Sequence, residues 1–121
     1  PTFLMPSGEV ALQLEDETRA MAESFANRRT VMYNGINGLP GVNAPEPEGA
    51  FYILADITGT GMTDIEFADQ ALSEARVQLI PGSLMKGGEG LVRLSYATSL
   101  ENIHEGIKRL SRWLSSINRN E

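Results

Sequence analysis

The chain has 121 residues, with 41% hydrophobic and 21% charged side chains, the size and composition of one ordered globular domain. Ten basic side chains against 16 acidic ones leave a net charge of −6, which disfavours a nucleic-acid backbone as partner. No apolar run approaches the roughly 20 residues of a membrane helix. With no cysteine, a disulfide framework, thiolate zinc sites and cysteine nucleophiles are excluded, and a cytoplasmic location is expected.

Residues 1–8, with two prolines, read as a short lead-in, and nothing in them reads as a signal or transit segment. Residues 9–33 lack proline and glycine and place Met21, Ala22, Phe25 and Arg29 at helical spacing, which predicts one long helix with a bend or restart near Glu15 to Thr18. Residues 34–49, with four glycines and three prolines, read as an irregular connection of unusual length. Residues 50–57 form a continuous apolar run, expected to be a central strand. Thr58 to Met62 is a Gly-rich turn, and Thr63-Asp64-Ile65-Glu66 has the pattern of a capping box. It opens a helix with Ala68, Ala71, Leu72 and Ala75 on one face. Val77 to Ile80 is expected as a short strand ended by Pro81-Gly82, and Leu91 to Ala97 as another beyond a glycine-rich loop. Ser99 caps a last helix with an Ile103, Ile107, Leu110, Leu114 and Ile117 stripe. The expected fold is α+β: one domain over 1–121, in which 50–121 run β-α-β-β-α. Its small three-stranded sheet is at least partly antiparallel, with helices packed on one face. The other face is left to be explained.

Few residues could carry chemistry. His104 is the only histidine, early in the last helix, with no second histidine for a metal pair and no evident serine partner; it reads as a surface helix residue. Lys86, among glycines, suggests an anion-binding loop but lacks the phosphate-loop spacing, and it reads rather as a solvated lysine on a mobile hairpin; Lys108 reads as a helix-surface residue. Glu46 and Glu48 flank Pro47 in a loop, while Asp64 and Glu66 belong to a helix start, where negative charge favours the dipole. No catalytic residue and no metal ligand set is assigned. Arg93 differs. In Leu91-Val92-Arg93-Leu94-Ser95-Tyr96-Ala97, alternation puts Val92, Leu94 and Tyr96 on one face and Arg93, Ser95 and Ala97 on the other. A guanidinium fixed on a rigid strand is a good carboxylate receptor. Spacing alone favours an exposed strand arginine without a ligand.

The segments Gly35-Ile36-Asn37-Gly38-Leu39-Pro40-Gly41-Val42 and Pro47-Glu48-Gly49-Ala50-Phe51-Tyr52 resemble the C-terminal small domain of class I and II (fold-type I, aspartate aminotransferase-like) aminotransferases, which use pyridoxal phosphate. Pro81-Gly82-Ser83 and Gly88 to Ala97 resemble the second half of that domain, and Arg28-Arg29 also fit. The resemblance runs from about Ala11 to Leu114, in order and at matching separations. It implies that Arg93 binds the substrate α-carboxylate, that the domain closes over substrate, and that a large cofactor domain covers the open sheet face in a homodimer. In the family the Schiff-base lysine and the other cofactor-binding residues lie in the large domain. Neither Lys86 nor Lys108 matches their motif, so the chain alone is expected to be inactive and to hold no cofactor. The sequence departs from the family after Pro81-Gly82-Ser83, where Leu84-Met85-Lys86 replaces a small residue, an aromatic and glycine.

Two further readings are of different classes: a free-standing module that binds amino or oxo acids through Arg93, and a domain whose open face binds another protein. A self-sufficient module should bind ligand alone, whereas a domain that needs a partner should expose apolar surface.

Overall fold

The computed structural model describes residues 1–117; the last four residues of the expected 1–121 domain lie outside the described residues. The lead-in is helical. A single 3-10 turn, Thr2–Leu4, runs into α1 (Met5–Ala11), where Pro6 occupies the first turn, a position with no amide bond to lose. Neither buries a residue: Phe3, Leu4, Met5, Val10 and Leu12 are all exposed. The chain breaks at Leu12–Leu14, slightly earlier than expected, and restarts as α2 (Glu15–Asn37) with Glu15, Asp16 and Glu17 in the first turn, where the helix dipole favours acids.

α2 runs four residues beyond the expected end at Tyr33, through Gly35. The reason is packing. A side chain at Gly35 would run into Ile107 of α4 (Leu100–Ile117), so glycine lets the two helices touch. The irregular connection is correspondingly shorter and is tied down. The Asn37 side-chain amide donates to the carbonyls of Tyr33 (3.0 Å) and Ala44 (3.1 Å) and accepts from the Ala44 amide at 3.0 Å. Arg29 of α2 donates to the Pro47 carbonyl at 3.1 Å. Gly41, with φ +73°, passes so close to Gly59 that a side-chain carbon there would lie 2.7 Å from the Gly59 carbonyl oxygen.

The sheet comprises β1 (Tyr52–Asp56), β2 (Ile80–Pro81) and β3 (Leu91–Ser95) in the order β1-β3-β2, with both pairings antiparallel. β3, not β1, is central. The outer edge of β1 is met instead by the connection, where Asn43 and Asp56 exchange amide–carbonyl bonds of 2.9 and 2.7 Å. All three strands are shorter than expected. Val77 to Leu79 stay outside the ladder, and the phenol of Tyr96, just past β3, donates to the Ala50 carbonyl at 2.9 Å.

One core lies between the sheet and the helices. Ile53, Ala55, Val92 and Leu94 meet Met32 and Ile36 of α2, Phe67, Ala68 and Ala71 of α3 (Asp64–Ser73), and Ile103, Leu110, Trp113 and Leu114 of α4. The expected stripe on α3 is corrected in one place: Leu72 is exposed and Phe67 takes the core position, its ring edge-on to Trp113 with centroids 5.0 Å apart. The capping box forms as expected, with the Glu66 amide donating to Thr63 Oγ1 at 3.3 Å and the Thr63 amide to the Glu66 carboxylate at 3.0 Å. The α+β fold with helices on one sheet face thus stands. No helix among the described residues is long and apolar enough to cross a membrane.

Candidate substrate-binding face

Alternation along β3 places its side chains as expected. Val92, Leu94 and the following Tyr96 are buried; Arg93 is half-buried and Ser95 exposed on the opposite face. Arg93 pairs across the sheet with Leu54 of β1 on one side and Ile80 of the short β2 on the other, so paired backbone flanks it on both sides. Its guanidinium carbon stands 5.2 Å from the centroid of the Tyr52 ring, a cation–π distance. Tyr52 in turn meets Phe51 edge-on at 5.5 Å, and both rings are exposed. Among the described residues no carboxylate forms an ion pair with Arg93. The open face therefore presents a positioned, unneutralised bidentate donor beside aromatic surface.

The loop between β2 and β3 is built rather than slack. Asp64, the first residue of α3, is 5% exposed, and its carboxylate accepts from the amides of Ser83 at 2.7 Å and Gly90 at 3.5 Å. Hydrogen bonds from Ser83, through its side chain and then its backbone, hold the Asp64 carboxyl below its ordinary value. Gly82 and Gly88 touch backbone to backbone, where a side chain on either would strike the other's carbonyl oxygen. Leu84 is exposed at the tip, in the stretch that departs from the family pattern, and Met85 is half-buried.

The remaining candidates do not converge on Arg93. His104, Lys86 and Glu48 are exposed. Lys108 and Arg109 both reach Glu105, at 3.9 and 2.9 Å, and the Arg109 hydrogen bond is the main cause holding that carboxyl below its usual range. Glu46 lies 3.9 Å from Arg29, Arg28 stacks on Phe25 at 5.0 Å, and Glu66 serves the capping box. Among the described residues no cluster of three or more histidine or acidic side chains could hold a metal ion. Sequence reasoning missed two contributors. Tyr52 faces Arg93 only through the β1–β3 register, and the partners of Asp64 lie 19 and 26 residues away. No local pattern announces either.

Residues 2–110 match the family of class I and II aminotransferases. The chain belongs to that family. It is 38% identical over 117 residues to an aspartate aminotransferase of Pyrococcus horikoshii, covering 93% of this chain and 30% of that protein. An aromatic-amino-acid aminotransferase of Thermococcus litoralis is 37% identical with the same coverage. Among solved structures, an aromatic aminotransferase from Pyrococcus horikoshii superposes with a TM-score of 0.81 at 38% identity, over 85% of this chain and 28% of that one. The aspartate aminotransferase of Rhizobium meliloti gives 0.79 at 32% identity, over 84% and 28%. The chain thus spans under a third of the length of these relatives, in keeping with the resemblance to their C-terminal small domain.

Proposed function

We propose that this chain acts as the substrate-closing small domain of a pyridoxal-phosphate aminotransferase, which exchanges an amino group between an amino acid and a 2-oxo acid. Arg93 is its α-carboxylate receptor. The observation that carries this reading is the open sheet face, where a guanidinium backed by Tyr52 has no acidic partner among the described residues. Two parallel N–H donors match a carboxylate and fix its plane, so the group bound there is oriented as well as neutralised. A rigid three-strand platform keeps that orientation while the domain moves, and closure excludes water from the ion pair.

The cofactor does not fit the residues of this chain. Lys86 is exposed in the loop, and Lys108 is an exposed ion-pair partner on α4. The attachment lysine, and with it the chemical steps, would come from a large domain, and in a homodimer the partner subunit would complete the site. The exposed apolar side chains of α1 and its flanks, with Phe3 78% and Leu12 87% exposed, support a docked rather than a free-standing state.

The test uses the native-length polypeptide, whose intact mass should be several times that of this chain. There Arg93→Lys should raise KM for the amino-acid substrate about tenfold or more, because a point charge cannot reproduce the bidentate grip. An unchanged KM rejects the assignment, and a native product no longer than this chain favours the free-standing binding module.

A further inference from the structure

Resting on that reading, we infer that Asp64 is a positioning residue for Arg93, acting as a carboxylate clamp across the base of the β2–β3 loop. Three observations converge on it. The ladder that holds Arg93 on this side is minimal: β2 has two residues, Ile80 and Pro81, and proline has no amide to donate. The Asp64 carboxylate supplies what the ladder lacks, because its two donors straddle the loop symmetrically. Ser83 lies three residues after Ile80, and Gly90 three residues before the paired Arg93. Finally, Asp64 is the one buried charged residue among the described residues, and it is held by hydrogen bonds from Ser83 and Gly90 rather than paired with a cation. A carboxylate is rarely buried in this way unless hydrogen bonds hold it in one geometry.

The consequence is mechanical. Helix α3 is fixed in the core by Phe67, Ala68 and Ala71, and Asp64 at its first position ties both ends of the loop to that fixed body. The loop contacts between Gly82 and Gly88 leave no room for slack to be taken up elsewhere. Gly90 keeps the 3.0 Å bond that its carbonyl accepts from the Ile57 amide, so loss of the clamp loosens chiefly the Ser83 end and the two-residue β2 beside it, and lets the Arg93 guanidinium shift relative to Tyr52. For an oriented carboxylate, displacement of this kind costs rate far out of proportion to its size.

The experiment compares Asp64→Asn and Asp64→Ala in the native-length enzyme, with Arg93→Lys alone and combined. Asn keeps one acceptor oxygen and should raise KM about threefold; Ala should raise it about tenfold, with kcat changed less. In the Arg93→Lys background both changes should add little to KM, because the group they position is already lost. The order of the Arg93 Nε–H group, read by NMR, should fall in Asp64→Asn at a temperature where the variant remains folded. An unchanged KM and unchanged Arg93 order in a folded Asp64→Asn protein overturn the inference, as do KM effects that add fully to those of Arg93→Lys. If Arg93→Lys itself leaves KM unaltered, the proposed function fails, and the NMR readout still decides whether Asp64 orders Arg93.

Discussion

The two faces of β3 carry different duties on the same few residues. Val92 and Leu94, at 1% and 6% exposure, lie against three helices, whereas Arg93 and Ser95 between and beyond them look out from an uncovered sheet. The covered face supplies the free energy that holds the strand still, and the open face spends none of its side chains on that task. Substitutions on the two faces should therefore separate stability from binding. The largest stability effect belongs to the covered side: Phe67→Ala removes a fully buried ring packed edge-on against Trp113 and should cost about 3–5 kcal/mol, read as a loss in denaturant midpoint at unchanged slope. Arg93→Ala gives up the contact with the Tyr52 ring and should cost no more than about 1 kcal/mol. A comparable loss from both would mean that the open face is structural too.

At the loop a buried charge joins the two faces. The carboxyl of Asp64 is held below its ordinary value of 3.8 by its bonds from Ser83, so the folded state binds the anion better than the unfolded chain does. With the folded pKa below the unfolded one, the stabilisation is fully present above the unfolded value and is lost as pH falls through the folded one. Asp64→Asn should accordingly be less stable than the parent at neutral pH, with the gap narrowing below about pH 4. Midpoints of denaturant unfolding at neutral pH and at about pH 3 check this. Asp56, lowered by Thr58, and Glu66, lowered by Thr63, act with the same sign, so part of the acid limb persists in the variant. A gap that is constant with pH would mean that the clamp works without its charge.

How much of this was legible in advance follows the range of the forces involved. Capping at Thr63 and Ser99, the alternation on β3 and the one-sided sheet rest on residues near in sequence, and each is found where its pattern placed it. The Arg93 face was legible for the same reason: period-2 alternation needs no knowledge of the fold. Errors arose where a distant partner decided. Gly35 reads as a helix breaker until Ile107 is seen to require it, and the apolar run at 50–57 reads as central until Asn43 is seen bonded to its outer edge. Asp64 is the sharpest case. Its position in the capping-box pattern is complete by itself, so nothing local hints that its carboxylate serves a loop 19 residues on.

The smallest predicted effect lies at the point where the covered face reaches round to the open one. Ala50 has φ 60°, in the left-handed region that costs a residue with a side chain about 1–2 kcal/mol. It is held there by Tyr96: the buried phenol donates to its carbonyl at 2.9 Å, and the Tyr96 amide to the next carbonyl, that of Phe51, at 2.8 Å. These bonds fix the turn that delivers Phe51 and Tyr52 to the open face. Ala50→Gly relieves the strain, loses only an exposed methyl, and costs about 0.5–1 kcal/mol in unfolded-chain entropy, for a net gain near 0.5 kcal/mol. A rise in Tm of about 2 °C is expected. Because Tyr96 anchors the turn through backbone carbonyls, KM should not change with it. A fall in Tm would mean that the turn does not carry this strain, and a raised KM that the Ala50 side chain itself, rather than the Tyr96 bonds, sets the aromatic pair beside Arg93.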